Sequence, residues 1–136
     1  MTIRVLIVDD HAPMRAGLRA LLTESRRIEV VGEAGDGCEA IRLAKQLRPA
    51  VVLMDISMPR LGGVEAASGI RVACPGTKVL MLSTHSSAEH VQRSLAAGAS
   101  GYVLKDYAAR EIIGAVLAVD GGQLYLSPAL RPRSAV

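Results

Sequence analysis

The sequence predicts a doubly wound α/β sandwich, a five-stranded parallel sheet with helices on both faces. Five short aliphatic runs recur along the chain, several continuously apolar instead of alternating, as in strands buried on both sides. Segments with helical spacing of apolar residues separate them. The resulting order, βαβαβαβαβα within 136 residues, fits a single domain with right-handed crossovers.

The first strand is expected over Arg4–Val8, followed by a helix marked by Met14, Leu18, Leu21 and Leu22. Strand two spans Val30–Glu33, and Ala40, Ile41, Ala44 and Leu47 mark the next helix. Strand three is Val51–Met54, before a helix carrying Val64, Ala67, Ile70 and Cys74. Strand four, Lys78–Leu82, precedes a weakly apolar helix with Val91 and Leu95. Strand five is Tyr102–Leu104, and Ile112, Ile113, Val116 and Leu117 mark the last helix. Asp36 with Glu39, and Ser86 with Glu89, read as capping boxes. Pro49 and Pro75 stand where the second and third helices must stop. Beyond Gly121-Gly122, small residues, two prolines and Arg131 and Arg133 show no apolar period, which reads as a linker or frayed tail. The folded domain is therefore expected over residues 1–122, with an extension over 123–136.

Composition narrows the function. Half the chain is apolar and 21% charged, enough for one well-filled core. Aromatic residues make up only 2%, three Tyr with no Phe or Trp, so no base-stacking platform for single-stranded nucleic acid is available. The formal charge of +3 falls to +1 without Arg131 and Arg133, leaving no DNA footprint on the globular part. Cys38 and Cys74 lack metal or redox spacing and read as small buried or half-buried side chains in a reducing compartment. The first apolar stretch ends at Asp9-Asp10, too short for a signal peptide or a membrane span. A soluble, cytoplasmic protein without membrane contact is expected.

In such sheets, ligands bind outside the carboxyl ends of the strands. Strand one ends in Asp9-Asp10, strand three in Asp55, strand four in Ser83-Thr84 and strand five in Lys105. Three carboxylates crowded together repel unless a cation intervenes, and Mg²⁺ suits carboxylates with water and a phosphate oxygen. An ammonium beside hydroxyls is a receptor for phosphate oxygens. A carboxylate can itself attack phosphorus, and Asp55, alone at the end of the central strand, is the best-placed nucleophile. Taken singly, Asp9-Asp10 read equally well as capping residues, Lys105 as a solvated charge and Ser83 as turn chemistry. Their joint placement at four strand ends points to phosphoryl chemistry. The first turn, Asp9-Asp10-His11-Ala12-Pro13, has no glycine cradle, which excludes a dinucleotide or P-loop site.

With VLIVDDH at 5–11, VVLMDISMP at 51–59, KVLMLSTH at 78–85 and AGASGYVLKD at 97–106, the chain resembles the receiver domain of two-component response regulators. The resemblance covers residue 3 to about residue 120. DDH followed by MRAGLRALL, VVGEAGDG and the terminal YLSP is similar to the branch of LuxR/NarL-type transcriptional regulators. It implies a flavodoxin-like sheet of strand order 2-1-3-4-5, with Asp55 as phosphoacceptor. It implies Mg²⁺ (or Mn²⁺) held by Asp10, Asp55, the backbone carbonyl of Ser57, and Asp9 through a water. Ser83 and Lys105 would bind phosphoryl oxygens, and Tyr102 would be the aromatic that moves inward with Ser83. Ser57, Thr84 and His85 stand where relatives tune the dephosphorylation rate. The partner implied is a sensor histidine kinase, and phosphorylation would switch a surface made of the fourth helix, fifth strand and fifth helix. A homodimer of the phosphorylated form is expected. DNA would be reached only through a helix-turn-helix absent from this chain, a receiver cut from a longer transcription factor instead of a stand-alone one. Such a domain is a regulatory phosphoacceptor that assists its own phosphorylation and dephosphorylation, not an enzyme.

Several residues depart from the family pattern. Asp106 follows Lys105 where many receivers have a cis-linked Pro, and reads as the N-cap of the last helix. Ala50 replaces a common Asp, and Thr84 is larger than usual beside the phosphoacceptor. The rings of His85 and His11 read as a solvated loop residue and helix-start packing. The main rival is a pseudo-receiver that contacts proteins without being phosphorylated, but it predicts a missing Asp, Ser/Thr or Lys. A flavin-binding domain would need stacking aromatics, and a DxD phosphatase would need differently spaced acids.

Overall fold

The apolar runs form strands with both faces covered. The computed structural model describes residues 2–131. Its elements are β1 (Ile3–Val8), α1 (Ala12–Leu22), β2 (Ile28–Ala34), α2 (Gly37–Leu47), β3 (Val51–Asp55) and α3 (Gly63–Ala73). They continue with β4 (Lys78–Ser83), α4 (Ala88–Ala96), β5 (Gly101–Leu104), α5 (Ala108–Asp120) and β6 (Tyr125–Leu126). The sheet is parallel throughout, in the order β2-β1-β3-β4-β5-β6.

Alternation along each strand divides the core into two. Leu6, Val8, Val52, Met54, Met81 and Tyr102 face α2, α3 and α4, where Ala40, Ala67, Ile70 and Val91 cover them. Ile7, Val51, Leu53, Leu80 and Val103 face α1 and α5, under Leu18, Leu22, Ile112 and Val116. Among the described residues no helix is long and apolar enough to cross a membrane.

All five predicted strands and helices are present, and the doubly wound parallel sheet stands with one addition. Tyr125–Leu126, read from sequence as part of the extension, pairs with Gly101 and Tyr102 as a sixth strand. Two residues are too few for a periodic signal, and the strand exists because Gly101 has no side chain to hold it off. A Cβ there would meet the Tyr125 carbonyl oxygen and Leu80. The tail reading beyond Arg131, including Arg133, lies outside the described residues.

Three local expectations are corrected. The cap of α4 is Ser87, not Ser86: its hydroxyl accepts from the His90 amide and also meets His90 Nδ1 at 2.6 Å, a second partner that favours this register. Asp106 does not cap α5, because Lys105–Tyr107 forms a 3₁₀ turn and α5 begins at Ala108 without a side-chain cap. Cys38 is exposed, since α2 turns Gly37, Ala40 and Ala44 inward, whereas Cys74 is buried as expected. The Asp36 cap holds, its carboxylate accepting from the Glu39 amide at 2.9 Å.

Candidate functional site

Strand register assembles the site. Val8 pairs with Met54, so Asp9 and Asp55 leave adjacent strands side by side. Asp55 stands opposite Leu82, and Ser83 opposite Leu104. β3 and β4 thus each end one step further along than the strand before, β5 ends level with β4, and Ser83 and Lys105 lie at the same edge as the two acids.

Lys105 is the cation between them. Its Nζ lies 3.2 Å from Asp55 Oδ1 and 3.5 Å from Asp9 Oδ2. Both carboxylates are buried, and Lys105 is largely so. Burial raises the Asp55 pKa above the ordinary carboxylate range, Asp9 adds to the rise by repulsion, and Lys105 and the Ser57 amide offset part of it. The Ser57 amide donates to Asp55 Oδ1 at 3.3 Å.

Neither acid of the first pair caps α1. Asp9 Oδ1 accepts from the His11 amide at 2.9 Å, closing a local turn, and His11 is the N-cap residue without a side-chain bond. Asp9 Oδ2 is buried without a hydrogen-bond partner. A buried carboxylate oxygen is costly unless a cation meets it, and here the Lys105 ammonium does so at 3.5 Å without a hydrogen bond. Asp10 is more exposed, and one ligand atom from each of Asp9, Asp10 and His11 lies within 4.8 Å of the others. The two carboxylates of this set suit a hard divalent cation, whereas the imidazole of His11 is a softer donor.

The hydroxyl side is organised by the main chain of His85. The His85 amide donates to Ser83 Oγ at 2.9 Å, and Tyr102 OH donates to the His85 carbonyl at 2.7 Å. Ser83 and Tyr102 are both buried, and the main chain of one residue, His85, connects the two residues singled out as a switch through its two flanking peptides. Burial pushes the Tyr102 phenol up, which the nearby Ser83 hydroxyl partly offsets. The His85 ring stays exposed and stacks on His90, with centroids 4.1 Å apart. Thr84 is exposed and lines a groove with Lys105, Asp106 and Tyr107. Ser57 is exposed at the rim of the site.

Sequence reasoning missed two supports. Arg15 donates from Nη1 to the Asp9 carbonyl and from Nε to Glu33 Oε1 at 2.9 Å. Arg19 meets the other oxygen of Glu33 at 2.7 Å. The spacing of Arg15 and Arg19, one helical turn apart, was the available signal. Gly63, which opens α3, stands against the Asp55 carbonyl with no space for a Cβ.

Comparison with known proteins agrees with this geometry. Residues 5–117 match the response regulator receiver domain. The transcriptional regulatory protein MctR of Rhizobium johnstonii is 43% identical over 125 residues, 92% of this chain and 58% of that protein. The uncharacterized transcriptional regulatory protein YxjL of Bacillus subtilis is 45% identical over 121 residues, 89% of this chain and 56% of that protein. The chain thus spans somewhat over half the length of these curated relatives. A two-component response regulator of the LuxR family from Aurantimonas sp. superposes with a TM-score of 0.92 at 35% identity, covering 96% of this chain and 93% of its own.

Proposed function

This chain belongs to the response regulator receiver domain family, and on that premise we propose that Asp55 accepts a phosphoryl group from a phosphohistidine of a sensor histidine kinase. An Asp55 carboxylate oxygen forms the new bond to phosphorus as the phosphorus–nitrogen bond to the donor breaks, and the imidazole leaves with the electron pair. The observation that carries this reading is the buried Asp9–Lys105–Asp55 arrangement at the carboxyl edge of the sheet.

Asp10, Asp55 and the Ser57 carbonyl, with Asp9 through a water, are the groups that would hold Mg²⁺ (or Mn²⁺), and the gathering of Asp9 and Asp10 ligand atoms within 4.8 Å supports that fit. When bound, the ion supplies positive charge beside the phosphoryl oxygens. Lys105 keeps its ammonium at Asp55 and pairs with a phosphoryl oxygen. Ser83 donates its hydroxyl to another, which draws on the Oγ now accepting from the His85 amide. Because the carbonyl of the same residue holds Tyr102 OH, the pull on Ser83 reaches Tyr102 and the α4–β5–α5 surface. Ser57, Thr84 and His85 are the residues proposed to tune hydrolysis of the acyl phosphate, on the family resemblance alone. The domain is a phosphoacceptor that assists both steps and regulates, in place of a turnover enzyme.

The relatives' names and the LuxR-family neighbour support a transcription regulator of the LuxR/NarL branch, and we propose that it acts in the cytoplasm and dimerises when phosphorylated. In this reading residues 1–122 are the receiver and 123–136 lead toward a DNA-binding output domain. The deciding test is intact mass after incubation with a small acyl phosphate, with and without Mg²⁺. One phosphoryl adduct that needs both Mg²⁺ and Asp55, absent from Asp55→Asn, is expected. No adduct on folded wild-type protein would return the chain to a phosphorylation-independent contact module.

A further inference from the structure

The chain after α5 is fastened to the strand that carries the site lysine, and one buried hydroxyl makes the join. Ser127 is fully buried. Its Oγ accepts from the Leu104 amide at 2.9 Å and donates to Glu111 Oε1 at 2.7 Å. Its own amide donates to the Tyr102 carbonyl at 3.0 Å. The same Glu111 oxygen accepts from Tyr125 OH at 3.0 Å. Leu104 is the last residue of β5, immediately before Lys105, and Tyr102 is the residue hooked to the His85 carbonyl. One residue beyond β6, through its hydroxyl and its amide, therefore touches the backbone on both sides of Val103, in the strand that presents Tyr102 and leads into Lys105.

We infer that Ser127, held by Glu111, is a positioning residue for Lys105, and that it couples the segment at 125–131 to the state of the site. The inference rests on the phosphoacceptor reading only for its second arm below. A buried backbone N–H needs a partner, and past β5 the parallel ladder offers Leu104 none except this hydroxyl. Fixing the amide plane of Leu104 fixes where Lys105 begins, and a positively charged group aimed at two carboxylates is sensitive to displacements well under an ångström. Coupling is reciprocal. Whatever moves Lys105 as Asp55 changes charge is felt at Ser127, and whatever strains residues 125–131 is felt at Lys105. The path adds a C-terminal readout to the α4–β5–α5 surface, leading directly into the chain beyond Arg131.

The test uses the full chain with Ser127→Ala, Glu111→Ala and Glu111→Gln. Glutamine keeps an oxygen that accepts from Ser127 and Tyr125, so it separates loss of the clamp from loss of a charge. In the first arm, amide exchange and amide chemical shifts are followed by NMR without any phosphodonor. Ser127→Ala is expected to speed exchange of Leu104 on the order of tenfold and to shift the Lys105 and Asp55 amides, while Glu111→Gln stays at wild-type values. Faster exchange confined to 125–131, with Lys105 and Asp55 unmoved, would overturn the inference. Should Ser127→Ala not fold, Glu111→Ala at a half-buried position decides the same comparison. In the second arm, the rate of phosphoryl uptake from an acyl phosphate with Mg²⁺ is expected to fall several-fold in Ser127→Ala and to be restored in Glu111→Gln. Equal uptake by Ser127→Ala and wild type also overturns the inference. A wild-type protein that takes no phosphoryl group overturns the functional reading instead, and the first arm still decides the clamp.

Discussion

Gly63 opens α3 directly against Asp55: a Cβ on the glycine would collide with the Asp55 carbonyl oxygen and with the Ile56 Cα. The contact is tight because the Gly63 amide donates back to the Ile56 carbonyl at 3.0 Å, closing the loop after β3. Backbone atoms cannot rotate away as a side chain does. Gly63→Ala is therefore expected to destabilise the fold by about 1–3 kcal/mol, the usual cost of overpacking. Urea unfolding measures it. Ala at Gly17, where a Cβ meets nothing within 4 Å, is the matched control and should be neutral or slightly stabilising.

Asp55 should impose a pH dependence opposite to that of an ordinary paired acid. Its folded pKa is raised above 3.8 by burial and by Asp9, with Lys105 offsetting only part. A raised acid contributes stability below its unfolded pKa and loses it as pH rises through the folded value. At neutral pH the ionised Asp55 therefore opposes folding, and Asp55→Asn should melt at a higher temperature than wild type. The gap should close as pH falls below the ordinary aspartate value. Thermal melts from pH 3 to 8 check the sign, and a lower melting temperature for the variant at neutral pH would show that Lys105 outweighs burial.

The contrast between Gly63 and Asp55 shows what was legible in the sequence. Asp9, Asp55, Ser83 and Lys105 were found because each follows an apolar run, and parallel pairing brings such positions to one edge without further information. The Ser87 cap and the start of α5 at Ala108 were not, since two adjacent serines satisfy one spacing rule and a 3₁₀ turn at 105–107 has no apolar period. β6 escaped because its evidence is an absent side chain at Gly101, some 24 residues upstream of Tyr125. The His85 peptide escaped for another reason: a main-chain donor and acceptor carry no residue-type signal.

Mg²⁺ should stabilise the protein by mass action if the acidic cluster holds it. A ligand present at about a hundred times its Kd adds about 2.7 kcal/mol to the folded state. Asp9 Oδ2 has no hydrogen-bond partner and faces the Lys105 ammonium at 3.5 Å, so a bound ion would compete only with that ion pair. A rise in melting temperature that saturates with Mg²⁺ is expected for wild type, and its loss for Asp10→Asn. An equal rise in both proteins would place any bound ion elsewhere.

The clamp beneath Asp9 should show the ordinary sign. Hydrogen bonds from Arg19, then Arg15, hold the Glu33 carboxyl below its usual 4.5, although burial opposes them. A depressed acid contributes stability above its unfolded pKa and loses it as pH falls through the folded value. Because all three side chains keep some solvent contact, Glu33→Gln should cost only about 1 kcal/mol at pH 7, shrinking toward zero in acid. Arg15→Met should cost more than Glu33→Gln, because it also removes the donor to the Asp9 carbonyl. A double-mutant cycle between the two separates those parts. The coupling energy reports the Arg15–Glu33 pair, and the remainder in Arg15→Met reports the support under Asp9. A remainder of zero would mean that Arg15 merely ties α1 to β2 and leaves the acidic site to Lys105 alone.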